Sequence, residues 1–226
     1  MKVKRSLALL VLGLLLSGIV LGFSQKIGFY LGVDAVIIVT WVFVKRIVPI
    51  IGIAVALVLA ALILLFRKQK AKAAGIIACC IVAVASLSCI VFSSNIVAAL
   101  SIPPESFNTA ADALRMFGLS ALIAMALALG LGLLKAKKKM IVTVIVMIVF
   151  AALSYGLCYL LVLVLNMGVR AYGLGIGVLM PMTLLYPVIS VNREAIMTNA
   201  KLQEKTAVTK DDPKYSYLEA YKNKHK

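Results

Sequence analysis

Apolar runs follow one another along this chain at 6–23, 27–44, 47–66, 74–100, 109–134, 140–165 and 171–191, each bounded by charged or turn-forming residues. A helix needs about 20 such residues to cross the hydrocarbon core of a bilayer. In lipid every backbone N–H and C=O must be paired inside the segment or within a closed barrel. A barrel strand alternates in polarity over about ten residues, and these runs do not alternate. The pattern therefore dictates an all-α polytopic transmembrane bundle. Composition agrees: 63% of the residues are hydrophobic, against about 45–50% apolar in soluble domains.

Orientation follows from the lysines. Lys68, Lys70 and Lys72 sit between two apolar runs, and Lys135, Lys137, Lys138 and Lys139 sit between two others. Short lysine-rich loops stay on the cytoplasmic side. Six spans with both termini inside place all but five of the 24 basic residues there, leaving Lys26, Lys45, Arg46, Arg115 and Arg170 outside. A seven-span alternative, with the tail still inside, moves Lys2, Lys4 and Arg5 outside and Lys26 inside. Both models put the protein in the cell (plasma or inner) membrane with a cytoplasmic basic tail over 192–226. The net charge of +16 thus reads as a topological rim, not as a nucleic-acid surface.

The two models differ over 24–46. Lys26, Tyr30, Asp34, Trp41 and Lys45 would share one stripe of a single helix. The preferred reading makes 27–44 a re-entrant or interfacial external helix, with Lys45-Arg46 reversing the chain before Pro49. The six spans are then 6–23, 47–66, 74–100, 109–134, 140–165 and 171–191. Residues 1–24 have the layout of a secretory signal, basic then apolar then small, and read as a first span acting as a signal anchor. Lys68, Lys70 and Lys72 recur 67 residues later as Lys135, Lys137 and Lys139, which raises the possibility of three repeated hairpins.

Ionisable residues within a span are functional candidates by default, and Asp34 is the one acid inside an apolar run away from its ends. It is a candidate ligand for a cation or amine, or an ion-pair partner for Arg115 or Arg170. Asp112 and Arg115 are spaced for a local pair at a helix start after Pro103-Pro104. In the last run, Pro181 and Pro187 each remove a helix hydrogen bond, freeing the carbonyls of Gly177 and Thr183. Irregular backbone at membrane depth is tolerated where it is buried in protein or lines a cavity. Asn95, Tyr155, Tyr159, Gly177, Pro181, Thr183 and Pro187 are accordingly the candidate residues for a cavity or kink. The pairs Gly18/Gly22, Gly28/Gly32 and Gly173/Gly177, and the series Ala124, Ala128, Gly132, suit close helix packing.

No catalytic, metal or cofactor pattern is present: the sole histidine is His225, and the four cysteines lack metal-ligand spacing. The leading expectation is a non-catalytic membrane subunit of a multi-subunit transport or translocation complex. Its partners would be the lipid bilayer, other membrane or cytoplasmic subunits and a separate ATPase, with no nucleic acid. The alternatives are a stand-alone small-molecule or lipid transporter, with a cavity near Asp34 and the kinked last span, and a membrane-embedded enzyme.

Overall fold

The computed structural model describes residues 2–65, 71–134 and 140–191. Both lysine loops and the 192–226 tail lie wholly or largely outside these residues, so the readings placed on them do too. The described residues are helical apart from short connections, with no strand among them. Helix α1 is Lys2–Leu31. Helix α2 runs through Val33–Ile37, a wider-wound π stretch Ile38–Ile47, and Val48–Leu65. Helix α3 is Ala71–Val91 and α4 is Ser93–Ala99. A single 3₁₀ turn, Pro104–Ser106, leads into α5, Phe107–Leu133. Helix α6 is Met140–Tyr159, extended by a π turn, Leu160–Val164. Helix α7 is Gly168–Val191 and contains a π turn at Pro181–Leu185.

Five of these helices are long and apolar enough to cross a membrane, and the bent pair α3–α4 makes a sixth if it counts as one span. The count agrees with six spans, but the division of 24–46 differs. Residues 27–31 finish α1, and 33–44 begin α2. The chain reverses at Gly32, whose φ of +106° is open to glycine and strained for other residues. No separate external helix and no seventh span forms there. A shared stripe requires one continuous helix. The turn splits the stripe, leaving Lys26 and Tyr30 on α1 and Asp34, Trp41 and Lys45 on α2. Nor does the chain turn at Lys45-Arg46. It continues straight through the π stretch into Val48. Pro49 has no N–H to offer the preceding turn, and a locally widened winding accommodates that loss.

The expected span 74–100 is also interrupted. It bends by 83° after Val91, and α4 turns aside with Ser93 buried and Asn95 exposed. The helix breaks at Phe92 and restarts at Ser93 with no side-chain cap, and Ser93 takes a hydrogen bond from Arg115 instead.

Helix α7 is the axis of the bundle. It is buried over 83% of its apolar window, against 28–44% for the other four uninterrupted spans. Its glycines allow this. A Cβ at Gly173 would meet the Ala113 carbonyl carbon and Phe117 nitrogen, both at 3.0 Å. At Gly175 it would lie 2.8 Å from the Cys158 nitrogen, and at Gly177 3.1 Å from the Ala121 nitrogen. Gly13 of α1 gives the same kind of approach to Thr183. Hydroxyls then stitch the axis to its neighbours. Ser17 shares a 2.9 Å hydrogen bond with Thr183, and Ser24 a 2.6 Å bond with Tyr172. Ser120 donates to the Gly173 carbonyl at 3.3 Å and Ser154 to the Gly175 carbonyl at 2.6 Å. Thr143 meets Ser190 at 3.3 Å. Such bonds are worth about 0.6 kcal/mol each on average in a membrane protein. Their main effect is to leave few polar groups unsatisfied around an otherwise apolar axis.

The three hairpins do not share a turn. One reverses at Gly32, one through the bent α4 and the proline loop, and one at residues 165–167. The 1–24 segment belongs to the bundle proper, with Leu9, Leu10 and Ser17 buried.

Candidate functional site at the distal end

The loops joining α2 to α3 and α5 to α6 carry the lysine clusters, so the opposite end of the bundle is here called distal. Arg5 and Lys26 lie about 20 residues apart on α1, roughly 30 Å of helix, which is the hydrocarbon thickness of a bilayer. Arg115 stands at a similar interval from the end of α5, and Arg170 from Ser190 on α7. The exposed cations Lys26, Arg115 and Arg170 thus form a distal belt, and Arg46, with Lys45 beside it in sequence, reaches the loop after α4 at that end.

Within that belt Asp112 is the acid that matters. It accepts from Arg115 Nη1 at 3.1 Å and from Arg170 Nη2 at 3.1 Å. Arg115 Nε also donates to the buried Ser93 hydroxyl at 2.9 Å. One cluster thereby ties α5 to α7 and to the bend between α3 and α4. The expected Asp112–Arg115 pair is present, and Arg170 joins it. Asp34 does not. It is exposed at the hairpin tip, and the ion pairs of Arg115 and Arg170 are made with Asp112.

The residues expected to line a cavity differ in exposure. Asn95 and Tyr159 are exposed and Tyr155 is half-buried. Gly177, Pro181, Thr183 and Pro187 are buried in close packing. Thr183 spends its hydroxyl on Ser17 and on the Leu179 carbonyl, the latter at 2.7 Å. The kink is real, with a widened turn between the two prolines, but the space a kink can open is filled by Gly13 and its neighbours. Asp34 is exposed at the hairpin tip, whereas the last span is buried around its kink.

A cleft of about 340 Å³ lies elsewhere, where α2 meets the loop after α4. Ile37, Trp41 and Arg46 form one wall, and Ala99, Leu100, Ser101 and Ile102 the other. Ser101 holds a positive φ of 54°, which turns the chain sharply around this wall. Trp41 is half-exposed. Lys45 Nζ lies 5.0 Å from its ring centroid, and the Arg46 guanidinium carbon 5.8 Å, both within cation–π range. In the core of the bundle Phe43 packs edge-on to Tyr172 at 5.2 Å and tilts against Phe117 at 5.9 Å. These ring contacts anchor α2 to α5 and α7.

Sequence reasoning placed Trp41 in the polar stripe and read Arg46 as part of a turn, and so missed their joint role. The usable signal was the run Trp41, Lys45, Arg46: four and five residues separate the ring from the two cations, so one helix face carries all three. Ser93 and the bend could not be found from spacing. Among the described residues, no group of three His, Cys, Asp or Glu could hold a metal ion. Comparison with protein-family models, with curated proteins and with solved structures finds no match.

Proposed function

We propose that this chain is a non-catalytic integral membrane subunit of a multi-subunit transport or translocation assembly. The observation that supports it is the close-packed axis. Helix α7 is sealed by backbone-to-backbone contacts at Gly173, Gly175 and Gly177, which favours a scaffold role over a pathway through the bundle. Large apolar side chains are meanwhile exposed at the hairpin tip: Phe29, Tyr30 and Val33 are 71–78% exposed. They lie beyond the distal belt, where lipid tails would not cover them. Exposed apolar patches of this kind mark interaction sites.

In this reading the protein sits in the cell membrane with both termini and both lysine loops in the cytoplasm and the distal end outside. The bilayer and neighbouring membrane or cytoplasmic subunits are its partners, and any ATP-driven step belongs to a separate ATPase. The stand-alone transporter reading is less favoured, because the kinked last span is closely packed against its neighbours.

Native mass spectrometry after mild detergent extraction from the producing cell tests the proposal. The expected result is a complex with at least one further subunit in fixed stoichiometry, which dissociates when Phe29 and Tyr30 are both changed to Ser. A monomer or homodimer that by itself moves solute into liposomes would overturn it.

A further inference from the structure

The cleft between α2 and the loop after α4 has the chemistry of a lipid-headgroup site, and we propose that it binds the phosphate of a membrane phospholipid. This inference stands apart from the assembly reading. Arg46 lines the cleft and is exposed. Its described interaction is with the Trp41 ring, and no acid pairs with it among the described residues. Lys45, next in sequence, stacks over the same ring from a four-residue spacing. Two cations held over one indole thus leave an uncompensated positive charge at a concave mouth. A guanidinium matches a phosphate by a planar, two-pronged set of donors.

The rest of the lining suits the remainder of a phospholipid. Ile37, Leu100 and Ile102 are apolar, and Ser101 and the backbone around it supply the polar edge. Depth agrees as well. Trp41 and Arg46 stand at the distal end, at the level where tryptophan and basic side chains meet lipid headgroups. A volume of about 340 Å³ is at the lower end of small-molecule sites. It can hold a headgroup with its glycerol, while the acyl chains run down the exposed apolar face of α2 at Ile50, Ile53 and Leu57. A soluble phosphate offers the same charge to Arg46 but makes no use of that face.

Trp41 is the sole tryptophan of the chain, so its fluorescence reports directly on the cleft. Purified full-length protein in an uncharged detergent would be titrated with three probes: dihexanoyl phosphatidylglycerol, dihexanoylglycerol, which lacks the phosphate, and inorganic phosphate. The expected result is a saturable change with the phospholipid alone. Arg46→Gln should weaken its apparent affinity about tenfold or more, the cost of losing a charge-assisted bond. Arg46→Lys should fall between, and Lys26→Gln, in the distal belt but outside the cleft, should stay within about twofold. Equal weakening by Lys26→Gln and Arg46→Gln would reduce the effect to diffuse belt charge and overturn the proposal. An equal response to dihexanoylglycerol would overturn it by removing the phosphate. Inorganic phosphate binding as tightly as the phospholipid would assign the cleft to a soluble anion and overturn the lipid assignment. If Arg46→Gln does not fold, Arg46→Lys carries the same comparison, and affinity equal to wild type would then count against the site.

Discussion

The packing of α7 makes a sharp quantitative prediction about glycine. At Gly173 an added methyl would press on the main chain of Ala113 and Phe117, with two backbone atoms at 3.0 Å, and the Ala113 carbonyl oxygen would be closer still. Backbone cannot swing aside as a side chain can, so α5 and α7 must separate. Overpacking of this kind costs about 1–3 kcal/mol. Separation also stretches the 3.3 Å bond from Ser120 to the Gly173 carbonyl, adding about 0.6 kcal/mol. Alanine is a better helix former than glycine by about 1 kcal/mol, which offsets part of the loss. Gly173→Ala should therefore destabilise by about 1–3 kcal/mol. Gly18 supplies the control, because nothing lies within 4 Å of its Cβ position. Gly18→Ala keeps only the propensity gain and should be neutral or stabilising by up to about 1 kcal/mol. The gap between the two variants is then about 2–4 kcal/mol. Reversible unfolding in mixed dodecyl sulfate and maltoside micelles, followed by Trp41 fluorescence, measures it. Equal stability of the two variants would refute the claim that α7 is sealed against α5 through Gly173.

Ser154→Ala removes the 2.6 Å bond to the Gly175 carbonyl and should cost about 0.6 kcal/mol, at most about 1.7, in the same unfolding assay. Asp112→Asn weakens both arginine contacts, but the three side chains are 30–61% exposed, so the loss should stay near or below about 1 kcal/mol and shrink in high salt. A double-mutant cycle between Asp112 and Arg170 would read the α5–α7 coupling directly. Asp34→Asn, at the exposed tip, should change stability by less than about 0.5 kcal/mol. A larger loss would mean that Asp34 has a partner. In a cysteine-free background, a single cysteine at position 45 should react with an impermeant maleimide added outside intact cells. Labelling only after lysis would reverse the orientation proposed above.

The all-helical class and the Asp112–Arg115 pair were legible in the sequence, and the expected six spans match the count only when the bent α3–α4 pair is taken as one. Each depends on a local property: run length against bilayer thickness, or an i,i+3 spacing on one helix. The Gly28/Gly32 spacing by itself suggests a packing surface. Gly28 does approach α2, with the Val36 Cα at 3.3 Å from its Cβ position, whereas Gly32 is the reversal itself. A polar stripe computed over a continuous helix cannot reveal that the helix stops midway. The bend at Phe92 was hidden for a related reason. Its stability draws on Arg115 reaching Ser93 from another helix, and that contact has no trace in local spacing.

The sequence by itself thus determined what kind of solvent the chain is built for, and hence helices of membrane length with their charges at the ends. Burial in lipid demands local backbone pairing, and local rules are readable from a string of residues. Which helix forms the axis was decided only in three dimensions. Every run is apolar, so hydropathy cannot separate a lipid-facing helix from a buried one. The choice of α7 rests on where three glycines meet the backbones of α5 and α6, and on hydroxyls from three other helices that converge on it. The cleft beside Trp41 and Arg46 has the same origin. One helix supplies its charge and ring, and its far wall exists only because α4 turns aside.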